Sequence, residues 1–169
     1  MSPSDSILKR LELRPARPGD VAEAIRIQLA AFEGLTQAAW GAWDAEKFEG
    51  GMREDWCEAE TRGLWLDNAL IGFVRLAHRS TYDWLDLVVV AVPHQGMRIG
   101  SAVLNVLIAE AQQRGVSLWL SVYRINPARR LYSRHGFSAR PRDPVRILMG
   151  HPADAVPPPE LLTPGPERG

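Results

Sequence analysis

The stretch Gln95–Ser101 combines glycines, a cation and the start of a predicted helix directly after an apolar strand, and this combination can bind an anion. The strand is the valine-rich run Leu87–Val92, which ends at Pro93 because proline cannot donate to a sheet ladder. At a helix start several backbone N–H groups lack an intrahelical partner, and the helix dipole adds partial positive charge. The glycines let an anionic group approach the backbone, and Arg98 supplies a mobile cation. A tight turn that needs its glycines only for conformation is the alternative interpretation.

The loop differs from the common nucleotide-binding loops but matches another pattern. No Gly-Lys-Ser/Thr follows Gly100, and the three spaced glycines of a Rossmann fingerprint are absent. The segment Gln95–Ala102, QGMRIGSA, resembles the acyl-CoA pyrophosphate loop of the GNAT superfamily of N-acetyltransferases, whose pattern is Gln/Arg-x-x-Gly-x-Gly/Ala. Gln95 and Gly100 match the ends of that pattern. Arg98 stands where the middle glycine is usual, and the spacer after Pro93 is one residue short.

A second segment resembles the same family. Asn126–Phe137, NPARRLYSRHGF, is similar to the family's Asn-x-x-Ala-x-x-Leu-Tyr-x-x-x-Gly-Phe segment, with one residue missing after the asparagine. The two motifs occur in the family's order, separated by one predicted helix and one predicted strand. The resemblance covers roughly residues 11 to 149 in element order and is sharp over 84 to 137.

The resemblance implies a binding site for acetyl-CoA as cosubstrate. In the family two neighbouring strands splay apart, here Trp84–Val92 and Ser117–Val122, and the pantetheine arm lies against the open strand edge. The implied contacts are Val90, Ala91 and Val92 for the pantetheine, and Gln95, Gly96, Met97, Arg98, Ile99, Gly100 and Ser101 for the pyrophosphate. Asn126 either orients the cosubstrate or caps the short helix after it. We expect Arg129 and Arg130 to form a solvated helix face.

The resemblance also implies two catalytic residues. Tyr132 matches the family's general acid, and a phenol with an ordinary pKa of about 10 keeps a proton for the departing sulfur at neutral pH. A core tyrosine is the alternative. Asp86 is the preferred general base, because a carboxylate between leucines is costly to bury unless it is paired or functional. Its rivals are Asp83, Tyr82 and Glu33.

The acceptor pocket implied by the resemblance draws on the first two helices, their connection and the start of the central strand. The residues expected to bind the acceptor amine are Phe32, Glu33, Trp40, Trp43, Tyr82 and Asp83, with Leu35 and Asp44 beside them. Packing of these aromatic side chains into the core is the alternative. No histidine or cysteine spacing indicates a metal, so we expect none. Cys57 is expected to fill space in the core.

Composition limits the class of protein. The chain has 169 residues with 20 basic and 20 acidic side chains, which argues against general attraction to nucleic acid or anionic membranes. A single cysteine allows no internal disulfide. The first ten residues lack the apolar core of a signal peptide, and no apolar run approaches membrane-spanning length. From these features we expect a cytoplasmic protein. A homodimer is possible, since symmetric dimers are the commonest oligomers of small enzymes.

The elements that position these residues are predicted from periodicity. The order β-α-α-β-β-β-α-β-α-β predicts a GNAT-type α/β fold, with a mixed, mostly antiparallel twisted sheet and helices on both faces. Gly34 is expected to end the first helix, and Gly50-Gly51 to interrupt the second with a kink or a division into two short pieces. We expect a flexible lead-in over residues 1–10, an acyltransferase domain over 11–150 and an irregular proline-rich tail over 151–169.

These features predict an acetyl-CoA-dependent N-acetyltransferase that moves an acetyl group to a primary amine of a small molecule or peptide by direct attack in a ternary complex. The alternative is a catalytically silent acyl-CoA-binding module with a regulatory role. The two hypotheses differ in whether Tyr132 acts as a general acid.

Overall fold

The computed structural model describes residues 3–40, 44–58 and 61–162, with the side chains of all of these except 3–4, 35–40, 45 and 57–58. The helices are α1 (Pro3–Arg10), α2 (Val21–Trp40), α3 (Ala45–Glu58), α4 (Ile99–Arg114), α5 (Ala128–Arg134) and α6 (Pro159–Leu162). The strands are β1 (Leu11–Pro15), β2 (Thr61–Leu66), β3 (Ala69–His78), β4 (Tyr82–Val90), β5 (Ser117–Tyr123), β6 (Ser138–Pro141) and β7 (Arg146–His151). Among the described residues, no helix is long and apolar enough to cross a membrane.

The strands form one seven-stranded mixed sheet in the order β1-β2-β3-β4-β5-β7-β6. The pairings β1–β2, β2–β3, β5–β7 and β6–β7 are antiparallel, whereas β4 and β5 are parallel and are connected by α4. A parallel pair needs such a crossover. This is the predicted α/β fold class.

The parallel pair is joined over only part of its length. Tyr82–Leu85 pair with Ser117–Leu120, whereas β4 continues to Val90 and β5 to Tyr123. Strands β2 and β3 form a hairpin, in which the turn residues Asp67 and Asn68 have φ angles of 49° and 66°. Positive φ at both central residues is typical of the type I′ turn, whose twist matches that of the strands.

Two compact units make up the chain. The first comprises Met1–Leu76 and Leu87–Ala102, and the second Ala77–Asp86 and Val103–Gly169. In the first unit, buried side chains of α2 and α3 pack with β3 and β4 around Trp56, whose ring meets Phe73 edge to face at 5.2 Å. In the second, Tyr82, Trp119, Leu148 and Leu161 form a buried cluster.

Several boundaries differ from the sequence expectations. The prediction that Gly34 ends the first helix is wrong, because α2 continues through it to Trp40. Of the kink or division into two pieces predicted at Gly50-Gly51, the division is wrong, because α3 runs unbroken from Ala45 to Glu58. A glycine costs a helix only about 1 kcal/mol, and burial of Met52 and Trp56 on one face of α3 outweighs that cost.

The sequence interpretation also lacked some elements. The predicted order contains one strand after the last helix, whereas the structure has two, β6 (Ser138–Pro141) and β7 (Arg146–His151). Within the expected lead-in, Pro3–Arg10 are helical. Within the proline-rich tail, α6 places Leu161 in the buried cluster of the second unit.

Candidate active site

Strand β4 leads into a tight, exposed loop in the first unit. Val92–His94 form one 3-10 turn, in which the His94 N–H donates to the Ala91 carbonyl at 2.8 Å. The predicted strand end at Val92 is therefore two residues too late, because Pro93 lies inside this turn. The Gln95 side chain folds back and donates to the Val90 carbonyl at 2.9 Å. The carboxamide of Gln95 thus braces the loop against the strand end.

The loop then turns through two left-handed residues. Gly96 has a φ of +75° and Arg98 a φ of +64°. Arg98 occupies the position of the family pattern's middle glycine, and the left-handed backbone explains why glycine suits that position. The exposed Arg98 side chain lies 3.8 Å from Asp5. A non-glycine residue in this conformation is strained, and such strain clusters at functional sites.

This backbone path leaves a row of N–H groups without acceptors. The Gln95 N–H donates to Val92, but within the described part of the chain the N–H groups of Gly96, Met97 and Arg98 have no hydrogen-bond acceptor. The next three N–H groups are in the first turn of α4, where helix geometry offers no acceptor, and Ala102 is the first residue to bond back, to the Arg98 carbonyl at 3.0 Å. Six consecutive residues therefore present donors at a helix N-terminus, which is a favourable arrangement for an anion.

The helix after the loop, α4, is held in place by a stripe of apolar residues spaced four apart. Ile99, Val103, Leu107 and Ala111 are all at most 2% exposed. Gly115, with φ +69°, follows the last residue of α4, where a left-handed glycine commonly ends a helix. The buried Ile99 fixes the orientation of the first turn of α4 and therefore the direction of its N–H groups.

Tyr132 lies on α5 in the second unit. Its ring contacts Phe137 edge to face, with ring centroids 5.8 Å apart. Burial raises the pKa of Tyr132 to about 12. The phenol therefore keeps its proton at any pH near neutrality, so it can act as a proton donor and not as a base.

Asn126 caps the turn before α5. Its side-chain oxygen accepts a hydrogen bond from the Ala128 N–H at 2.9 Å. This capping is one of the two roles expected for Asn126 and leaves its amide nitrogen as a donor. The Arg129 guanidinium donates to the Arg124 carbonyl at 2.8 Å, and Arg130 is exposed.

The two carboxylates of β4 have different environments. Asp86, the preferred base, is exposed, and its carboxylate accepts a hydrogen bond from the Trp84 indole at 3.4 Å. Asp83 is fully buried, with Oδ1 at 2.7 Å from His78 Nδ1 and 3.4 Å from Arg114 Nε. Because its carboxylate is buried beside two basic side chains, Asp83 is suited to a structural role. Asp86 is the carboxylate on β4 that is exposed to solvent.

The remaining residues expected to bind the acceptor are placed as follows. Tyr82 is 6% exposed in the core of the second unit, and burial raises its pKa. In the first unit, Phe32 packs against the core and Glu33 is exposed. The side chain of Trp40 and all of Trp43 lie outside the described residues. The contribution of these residues to acceptor binding stays a prediction.

Sequence reasoning missed Arg142. This residue precedes β7 and places its guanidinium carbon 5.8 Å from the centroid of the Trp84 ring. The two residues are far apart in sequence, and a lone arginine in a turn carries no periodic signal. Only the fold of the second unit brings them together.

Comparison with known proteins agrees with this geometry. A model of the acetyltransferase (GNAT) family matches residues 29–137. A search of curated protein sequences finds no match. Among solved structures, a PaiA N-acetyltransferase from Thermoplasma acidophilum in complex with coenzyme A is 20% identical with a TM-score of 0.68, covering 83% of this chain and 97% of its own.

A second similar structure is the ribosomal-protein-S18-alanine N-acetyltransferase from Escherichia coli. It is 22% identical with a TM-score of 0.65, covering 87% of this chain and 96% of its own. At such identities these structures show a shared fold. The family match extends over more than half of the sequence, and the protein therefore belongs to the acetyltransferase (GNAT) family and is an acyl-CoA-dependent acyltransferase.

Proposed function

We propose that this protein transfers an acetyl group from acetyl-CoA to a primary amine of a small molecule or peptide, by direct attack in a ternary complex. The observation that carries the proposal is the row of N–H groups from Gly96 into α4. Those donors fit a pyrophosphate, because each is unpaired within the described chain and all lie at the positive end of a helix dipole. Acetyl-CoA supplies the activated acyl thioester.

The loop and the strand before it have separate roles in this proposal. The backbone of Val90, Ala91 and Val92 offers a strand end against which the pantetheine extends. The N–H groups from Gly96 to Ser101 bind the pyrophosphate, and Arg98 adds a phosphate contact. Gln95 acts indirectly by bracing the loop through its bond to Val90. Asn126 contributes its side-chain amide toward the cosubstrate while capping the turn.

Tyr132 and Asp86 divide the proton transfers. Asp86 accepts the proton that the attacking amine loses, through a water molecule. The new nitrogen–carbon bond forms as the carbon–sulfur bond breaks. Tyr132 donates its proton to the departing sulfur, and the raised pKa of this phenol ensures that the proton is present when negative charge develops there. No covalent enzyme intermediate is required.

Binding of CoA can be tested with a matched pair of glycine variants. Gly96 and Gly115 both have positive φ, and an added Cβ at either would meet no atom within 4 Å. Alanine should therefore cost similar stability at both positions, about 1 kcal/mol. Only Gly96→Ala should weaken CoA binding in calorimetric titration, by roughly tenfold, because only that Cβ lies beside the proposed pyrophosphate. Equal affinities for both variants would contradict the assignment of the loop.

Turnover separates the enzyme from a silent acyl-CoA-binding module. Tyr132→Phe should lower kcat by roughly 10²-fold while leaving the Kd for CoA unchanged. Tyr123→Phe is the control, since that hydroxyl contacts Arg146 at 3.2 Å and has no role in the proposal. Thiol release from acetyl-CoA measures both. Normal turnover of Tyr132→Phe would remove Tyr132 as the acid, and binding of CoA without turnover of any amine by the wild-type protein would favour the silent module.

A further inference from the structure

In the second unit, the aromatic ring of Trp84 has two charged side chains of opposite sign near it, Asp86 and Arg142. Trp84 and Asp86 are two residues apart on β4 and therefore project from the same face of the strand. The Trp84 indole nitrogen donates to Asp86 Oδ1 at 3.4 Å. The Arg142 guanidinium carbon lies 5.8 Å from the centroid of the same ring. A carboxylate and a guanidinium thus flank one indole.

Arg142 has hydrogen-bonding capacity that the described part of the chain does not use. Its Nη1 atom is buried and has no hydrogen-bond partner there. The guanidinium group is planar and carries five N–H donors in that plane. A buried charged donor without a partner is costly, and a carboxylate that contacted Arg142 would reduce that cost.

The neighbouring aspartate makes no hydrogen bond to Arg142, although against the effect of burial the positive charge of Arg142 helps to lower the pKa of Asp143. Asp143 is next in sequence, but its Oδ1 accepts the backbone N–H groups of Val145 at 2.7 Å and Arg146 at 2.6 Å. These bonds hold the Asp143 carboxylate inside the turn before β7. The arrangement differs at Arg146, which lies over the Tyr123 ring at 4.8 Å and donates to the hydroxyl of that tyrosine.

We propose that the acceptor amine also carries a carboxylate, which Arg142 binds while Asp86 faces the amine. The proposal rests on the transferase function above and adds the substrate class, a free amino acid or a short peptide that ends in a carboxylate. Trp84 lies under the atoms that join the two charged groups. Arg142 can pair with both carboxylate oxygens, because its donors form a planar fork. The carboxylate is unchanged by the reaction and serves to position the amine.

The test compares each acceptor with its own carboxamide. Thiol release is measured with acetyl-CoA and a panel of α-, β- and ε-amino acids and dipeptides, each as the free acid and as the amide. We expect kcat/KM to favour the acid by about tenfold or more, because a charge-assisted hydrogen-bond pair is lost in the amide. The free amino acids and the dipeptides distinguish the two sources of the carboxylate.

Variants of two arginines identify the group responsible. Arg142→Gln should abolish the preference for the acid mainly through KM, and Arg142→Lys should keep part of it because the charge remains without the fork. Arg146→Gln is the matched control, since that arginine also stacks on a ring but has its donor satisfied. It should retain the wild-type preference.

Each outcome has a definite meaning. Equal turnover of acids and amides by the wild-type protein, or an unchanged preference in Arg142→Gln, overturns the inference while leaving the transferase function intact. If no amine is acetylated, the proposed transferase function is wrong. Saturation-transfer NMR then measures whether the same acids bind at Arg142. Binding of the acids by wild type but not by Arg142→Gln supports the subsite, and absence of binding overturns it.

Discussion

Replacement of Arg98 isolates the effect of the left-handed backbone at the loop. Arg98 has φ +64°, a conformation that costs an L-residue about 1–2 kcal/mol. Glycine avoids that cost but loses about 0.4–1 kcal/mol through the greater freedom of the unfolded chain. Arg98→Gly should therefore be about 1 kcal/mol more stable than Arg98→Ala. The weak, exposed pair with Asp5 is absent from both variants and cancels.

A control at an ordinary helical position should show the opposite sign. Gly50 lies within α3, is exposed, and would meet no atom within 4 Å if it carried a Cβ. Gly50→Ala should stabilise the protein by about 0.5–1 kcal/mol, because alanine is favoured over glycine inside helices. Urea unfolding followed by circular dichroism and tryptophan fluorescence gives both differences.

If Arg98→Ala were as stable as Arg98→Gly while Gly50→Ala was stabilising, the predicted cost of the left-handed backbone at position 98 would be wrong. The same two variants measure the role of the guanidinium of Arg98. If it contacts a phosphate of CoA, both should bind CoA about tenfold more weakly than the wild-type protein, because both lack the cation. Unchanged affinity in both would assign the pyrophosphate to the backbone N–H groups alone.

Three further predictions concern the second unit. Gly150→Ala should lower the free energy of unfolding by about 1–3 kcal/mol, because its Cβ would lie 2.3 Å from the Trp119 ring, and an unchanged Tm would contradict this packing. Leu161→Ala should cost about 2 kcal/mol because Leu161 is 8% exposed, whereas Leu162→Ala, at a position 55% exposed, should be nearly neutral; equal effects would show that the tail does not pack. Burial lowers the pKa of His151 from 6.5, so the folded state favours the neutral ring, and its contribution to stability is present above pH 6.5 and lost as the pH falls through the folded-state pKa. His151→Gln should therefore lose less stability than wild type between pH 7 and 5 in urea titrations, and parallel losses would refute the assignment.

The sequence was sufficient for the elements whose signals are local. The strand, loop and helix around Gly96 follow from a valine-rich run, a proline and an apolar stripe with a period of four. The hairpin turn follows from Asp67-Asn68, because those residues tolerate positive φ. The two motifs that contain Gln95 and Tyr132 indicate the family from the sequence alone.

Other features depended on packing that no local pattern contains. Helix α3 continues through Gly50-Gly51 because Met52 and Trp56 are buried in the core, and that gain exceeds the propensity cost. Strand β6 is four residues long and contains Arg140 and Pro141, so it has no alternation long enough to identify it. Its pairing with β7 is a tertiary contact.

The two carboxylates of β4, Asp83 and Asp86, show what the sequence determines and what depends on the tertiary structure. Because side chains alternate along a strand, the sequence determined that Asp83 and Asp86, three residues apart, project from opposite faces. It could not determine which face is covered. The tertiary structure buries Asp83 beside His78 and Arg114 and leaves Asp86 exposed. Burial depends on the elements that pack over a strand, and those contacts exist only in the folded chain.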